Sequence, residues 1–215
     1  MKMSSEMETV VKEIHRSARC NYPCRKYDIG GLDEIFQADL VEMQPYAREN
    51  KGYRYMITAI DVFPKYTWAV PVKNKTDIEI TAGIKSILEQ GRVPQNLQPD
   101  QRSQFYNKDF ENLMKKDNIN MYSSYSNLKA SIIERFNRTL RGKMWKKFSL
   151  QDNHKWINIL SSLISSYNNT KHQTIGMKPK DVNPTNKAEV VKRFRYKNIS
   201  VKNQKFKIGD KVRIS

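Results

Sequence analysis

Residues Asn127–Phe148, NLKASIIERFNRTLRGKMWKKF, constrain the fold of this chain most tightly. Ile133, Phe136, Leu140 and Met144 recur at i, i+3, i+7 and i+11, the apolar stripe of an amphipathic helix. Beside that stripe stand Glu134, Arg138 and Arg141, spaced i, i+4 and i+7, so one carboxylate and two guanidinium groups share a side. Lys143, Lys146 and Lys147 add positive charge. Solvated charges with ordinary i,i+4 pairing give one explanation. A lone acid among bases is also what a metal-dependent phosphodiester enzyme needs, because the acid holds a divalent cation while the bases hold the nucleic-acid backbone.

The global charge favours the second explanation. With 39 Lys and Arg against 22 Asp and Glu, the 215-residue chain carries a formal net charge of +17. A surface that basic repels itself unless it meets a polyanion, so nucleic acid is the expected partner; an anionic membrane surface is the alternative. No apolar run reaches the length of a bilayer span, and the opening MKMSSEMETVVKEIHR lacks the apolar core of a secretory signal, which points to the nucleus or cytoplasm. Two cysteines do not make a disulfide framework. Cys20 and Cys24 lie at a spacing found in zinc fingers, with His15 nearby, but a tetrahedral site needs a fourth ligand and none is close in sequence.

The order of elements predicts an α/β domain. Asp33–Met43 alternates as a strand, with Phe36, Ala38 and Leu40 set against Gln37, Asp39 and Val41. Tyr53–Asp61 and Lys65–Val72 form the clearest strand pair, rich in β-branched and aromatic residues and joined by a turn at Val62–Pro64. Thr76–Leu88 reads as a helix stopped by Gly91, Val93–Phe105 holds a short strand, and Asp109–Asp117 is a short helix. A strand at Ile119–Tyr122 and a polar loop at Ser123–Leu128 lead into the charged helix. Another helix spans His154–Tyr167, its stripe being Trp156, Ile157, Leu160, Leu163 and Ile164, and Gly176 and Pro179 turn the chain into a last short helix. His154 and His172 read as a cap-side and a loop histidine.

Two further acids stand out. Asp39 occupies a strand interior, where aspartate is disfavoured, so a purpose must offset its cost; an edge-strand or turn-capping role is the plain alternative. Asp100 ends the short strand and could equally be an ordinary loop residue. Asp61 reads as structural.

Taken together, IIERFNRTLRGKMW, FQADL and ITAIDVFPKYTWAVPV resemble the catalytic core of retroviral-type integrases, particularly those of Maverick/Polinton-type DNA transposons. The resemblance covers about Asp33 to Val182, where YNNTKHQTIGMKPKDV is similar to the segment that closes such cores. It implies a ribonuclease-H-like fold, a mixed five-stranded sheet flanked by helices, and DNA 3′-end cleavage and strand transfer by two-metal chemistry. Asp39, Asp100 and Glu134 would be the catalytic acids and the ligands of a pair of magnesium or manganese ions. Lys129, Arg138 and Arg141 would contact DNA. Thirty-three residues separate Asp100 from Glu134, close to the gap between the family's second and third acids.

The second acidic motif departs from the family pattern. Asp100 and Phe105 fit it; Pro99, Arg102 and Gln104 do not. Pro99 removes a strand donor, Arg102 stands where a glycine is usual, and Gln104 replaces an acid. The alternative these departures favour is a decayed or domesticated integrase that binds nucleic acid without catalysis. The expected organisation is a basic N-terminal arm over 1–30 and a core over 31–183. A basic linker over 184–204 follows, and FKIGDKVRIS at 205–215 resembles the start of a small SH3-like barrel. Relatives of this type act on transposon or viral ends and target DNA as homo-oligomers.

Overall fold

The computed structural model describes residues 10–11, 30–99, 105–122 and 130–196. The expectations for Cys20, Cys24, Asp100, Arg102, Gln104, Lys129 and the 205–215 segment lie outside the described residues.

Five strands form one sheet: β1 (Ile35–Glu42), β2 (Tyr55–Asp61), β3 (Thr67–Val72), β4 (Asn96–Pro99) and β5 (Asn120–Met121). Their spatial order is β3-β2-β1-β4-β5. The first three make an antiparallel meander, with Asp39 opposite Thr58 and Ile57 opposite Val70. β4 then pairs parallel to β1, ending at Ala38↔Pro99, and β5 pairs parallel to β4. Parallel pairing requires a crossover, and helices supply it.

Helices α1 (Asp77–Leu88) and α2 (Lys108–Lys116) cover one face of the sheet. Their core gathers Phe36, Leu40 and Ile57 with Ile80, Ile84 and Phe110. Gly83 lets α1 come close to β2, since an added Cβ would stand 2.4 Å from Ile57 Cδ1. Helices α3 (Ser131–Gln151) and α4 (Ile157–Asn168) cover the opposite face. There Val41, Met56 and Ile60 meet Ile133, Phe136, Leu140 and Met144, the stripe read from the sequence. Full burial of each such side chain is worth roughly 1.5–3 kcal/mol. Covered on both faces, β2 is buried along its whole length.

Buried amides fasten the second layer. Asn168 Oδ1 accepts from Thr67 N at 3.0 Å, and its Nδ2 donates to Thr67 O at 2.9 Å, tying the end of α4 to edge strand β3. Asn50 donates to the carbonyls of Tyr46 and His154 and accepts from Ile157 N, fixing the β1–β2 connection to the start of α4. A last helix, α5 (Lys187–Tyr196), lies within the basic stretch that follows Pro184. Its Val190 is fully buried beside Val62, Phe63, Ile175 and Val182.

Candidate active site at the end of β1 and the start of α3

Polar side chains join the central strand to the charged helix. Gln37 and Asp39 project from the same side of β1, two residues apart. Gln37 is fully buried; its Nε2 donates to Gln98 Oε1 of β4 at 2.9 Å, and its Oε1 accepts the backbone N–H of Ile133 at 3.0 Å. Helix α3 has Ala130 at its N-cap and no capping side chain of its own. The strand glutamine thus satisfies one of the N–H groups that every helix start leaves without an intrahelical partner.

Asp39 is half-buried. Its Oδ1 accepts Leu40 N–H at 2.7 Å, and its Oδ2 accepts Asn137 Nδ2 at 2.8 Å. Asn137 lies on α3 three residues after Glu134, hence on the neighbouring part of the helix surface. The structure therefore brings the helix turn that carries Glu134 against the Asp39 end of β1, with Glu134 itself exposed in the first turn. Glu134 occupies a favourable place for an acid, since the helix dipole is positive there. Asp100 and Lys129 lie outside the described residues. The described part of β4 ends at Pro99, in register with Ala38, the residue before Asp39.

The site is acidic at its mouth and basic along its flank. Arg138 and Arg141 are exposed on the same side of α3 as Glu134. Lys143, whose Nζ lies 5.7 Å from the centre of the Tyr167 ring, has its pKa lowered by burial first and by neighbouring Lys146 second. The sequence reading missed three neighbours. Gln37 and Asn137 read as the polar side of a strand and of a helix, yet both are buried. Trp145 lies at i+11 from Glu134 and is 40% exposed, whereas Trp68 and Trp156 are buried; an exposed indole on the line of an acid and two arginines was the available signal.

The donor chemistry suits a hard divalent cation. Carboxylate oxygens from Asp39 and Glu134 are the ligands such ions take. Asn137 Oδ1 is buried with no hydrogen-bond partner among the described residues, and it belongs to the amide that touches Asp39. Among the described residues, no group of three or more His, Cys, Asp or Glu side chains converges. A third carboxylate would have to come from outside them.

A parallel-extended meander with helices on both faces is the ribonuclease-H-like fold, the fold that integrase catalytic cores share. Residues 33–126 match the integrase core domain family. The match ends before α3, so Glu134 lies beyond it. Among solved structures, the HTLV-2 integrase catalytic core domain in complex with magnesium shares the fold. Its TM-score is 0.59 at 15% identity, over 70% of this chain and 95% of that one. A chain of the simian T-cell lymphotropic virus intasome in complex with PP2A regulatory subunit B56 gamma gives 0.61 at 18% identity, over 74% of this chain and 59% of that one. A transposon-derived protein of Caenorhabditis elegans is 26% identical over 174 residues, 80% of this chain and 59% of that protein. A retrovirus-related Pol polyprotein from transposon 297 of Drosophila melanogaster is 21% identical, over 78% of this chain and 16% of its own length. The chain thus spans well under two thirds of the curated relatives it matches. None of the described helices is long and apolar enough to cross a membrane.

Proposed function

We propose that the chain is an integrase-type polynucleotidyl transferase, cleaving DNA near a 3′ end and joining that end to target DNA. The observation that carries this reading is the Asn137–Asp39 hydrogen bond, which holds the turn bearing Glu134 at the acidic end of β1. Continued by one residue, the Ala38↔Pro99 register would set Asp100 beside Asp39. Asp39, Asp100 and Glu134 would then hold a pair of magnesium or manganese ions. When bound, these supply an activated water or 3′-hydroxyl and stabilisation of the leaving oxygen.

The chain's own residues do the positioning. Asn137 keeps one Asp39 oxygen oriented, and Gln37 keeps the first turn of α3 seated on the sheet. Arg138, Arg141 and Lys129 bind phosphates beside the acids and so set the register of the strand to be cut. The acting form is a homo-oligomer on transposon or viral ends. The simian virus relative is an intasome, and the HTLV-2 core occurs in dimeric and trimeric forms.

Glu134→Gln tests the reading, because the amide keeps the shape and loses the charge a cation needs. Metal-dependent nicking and joining of labelled DNA should disappear while DNA affinity stays within about twofold, since phosphate contacts come from other residues. Full cleavage by the variant would assign the third ligand elsewhere. A wild-type chain that binds DNA and never cleaves it would favour the second reading, a binding protein descended from an integrase. That reading draws on Pro99, Arg102 and Gln104. Pro99 is the last described residue of β4, where it supplies no N–H to the ladder.

A further inference from the structure

Two turns beyond the acids, the same side of α3 borders a cavity. It has a volume of about 280 Å³ and lies between the β1–β2 connection and the second half of the helix. Tyr46, Arg141, Met144, Trp145 and Phe148 are among its walls. Its position follows from helical spacing: Glu134, Arg138, Arg141 and Trp145 fall at i, i+4, i+7 and i+11, one line along α3. The line reads carboxylate, guanidinium, guanidinium, indole.

We propose that this cavity receives one unpaired base of the DNA strand that runs from the acids along α3. The inference rests on the reading of the chain as a DNA-cutting integrase and names a subsite that reading lacks.

The walls suit a flat, apolar ring attached to an anion. Trp145 meets Tyr46, Phe148 and His154 at interplanar angles of 80°, 89° and 83°, so none of these rings lies flat against the indole. Stacking a base on an aromatic face is tolerant of sequence, because every base presents a π-face. Met144 and Phe148 are buried and close the cavity floor without hydrogen-bonding groups. Arg141 is exposed and makes no ion pair with a described residue, leaving its guanidinium able to meet the phosphate attached to the base.

The pocket is also built in advance. Tyr46 stacks on His154 at 4.8 Å and 20°, His154 Nδ1 lies 3.3 Å from Glu49 Oε1, and Asn50 holds the Tyr46 carbonyl at 2.7 Å. A wall fixed in this way loses little freedom when a ligand arrives. Charge decides between occupants: Arg141 lines the cavity together with Glu42, Arg138 lies one turn away on the same line of α3, and the chain carries a net charge of +17, which suits a polyanion better than an apolar peptide. Distance then locates the base. At about 1.5 Å of rise per residue, Arg141 and Trp145 stand about 10 and 16 Å along the axis from Glu134. With about 3.4 Å per nucleotide, the captured base is about three to five nucleotides from the bond being cut.

The test is a binding measurement in EDTA, where no cleavage occurs. The full chain is titrated into a fluorescein-labelled oligothymidylate and into an abasic strand of the same length. Wild type should bind the base-bearing strand about tenfold more tightly. Trp145→Ala should erase that preference and leave abasic affinity unchanged, and Trp145→Phe should keep most of it. Trp145→Leu, which preserves apolar packing, should erase it too and serves if the alanine variant fails to fold. Equal affinity of wild type for both strands overturns the proposal, as does a preference that survives Trp145→Leu. A shift in self-association by Trp145→Leu with the preference intact would also overturn it, since the cavity would then seat a second copy. A chain that shows the preference but never cleaves keeps the pocket and loses the catalytic reading. A chain that cleaves without the preference does the reverse.

Discussion

Gln37 Oε1 accepts the backbone N–H of Ile133 at 3.0 Å, across 96 residues of chain, and so caps from the central strand a helix that has no capping side chain of its own. The same amide reaches Gln98 on β4, so one buried side chain links two strands that precede the candidate aspartates to the helix turn that bears Glu134. Gln37→Ala should cost about 1–3 kcal/mol, because it removes the acceptor of the buried Ile133 N–H and the donor to Gln98 Oε1. Urea unfolding measures the loss. Cleavage should fall further than DNA affinity, since the turn that carries Glu134 loses its anchor while Arg138 and Arg141 remain on the helix. Equal loss of both would mean that Gln37 supports the fold without placing the acid.

Gly142 lies mid-helix in α3, between Arg141 and Lys143, and a Cβ built there would meet no atom within 4 Å. Glycine in a helix interior costs roughly 0.5–1 kcal/mol relative to alanine, mainly through backbone entropy. Gly142→Ala should therefore raise the urea midpoint by that amount of stability. A destabilised variant would show that this position needs more freedom than a regular helix allows.

The basic tail should be separable from the core, but only past α5. Val190 is fully buried against Val62 and Ile175, so a cut that removes 187–215 strips a packed helix and should destabilise the domain. Deleting 197–215 removes six basic residues and one acid. The plot of log affinity against log salt should flatten, since each neutralised phosphate contributes a slope of about −0.7 to −0.9. Unfolding should be unchanged. An unaltered slope would leave the tail without a role in phosphate binding.

What was legible in the sequence is what repeats locally. The stripe Ile133, Phe136, Leu140 and Met144 is buried along α3, and the strand pair around Val62–Pro64 forms β2 and β3, because period and turn chemistry are properties of neighbours in the chain. Gln37 illustrates what was not. On an alternating strand it reads as the solvent side, yet two helices cover that face and leave it fully buried. Asn50 and Asn137 likewise take their meaning from partners far away in sequence, His154 and Asp39. The bond that sets Asn137, three residues after Glu134, against Asp39 is tertiary and has no local signal. Nor does a count of lysines and arginines after Pro184 reveal that Val190 is buried.

Asp61 gives the domain a pH-dependent stability of definite sign. Its side chain is fully buried, its carboxylate accepts from Asp33 N and Phe63 N at 3.1 Å each, and it pairs with Arg92, which also reaches Asp33 at 2.6 Å. Burial pushes the Asp61 pKa up to about 6, and the attraction of Arg92 opposes that shift without cancelling it. The folded state thus holds this proton more tightly than the unfolded chain, whose aspartate has an ordinary pKa near 4. The associated stabilisation is complete below that value and is lost as pH rises through about 6. Buried Lys65, pushed down to about 8 chiefly by burial, stays charged throughout this window and adds no slope. Asp61→Asn has no proton to lose there. The unfolding free energy of wild type minus that of the variant should therefore fall by about 2 kcal/mol between pH 4 and pH 7, at 1.36 kcal/mol per pKa unit. Paired urea titrations at the two pH values measure it, and titrating groups that do not interact with Asp61 cancel in the difference. A difference that grew with pH would mean that Arg92 outweighs burial and that Asp61 is held as a stabilising anion.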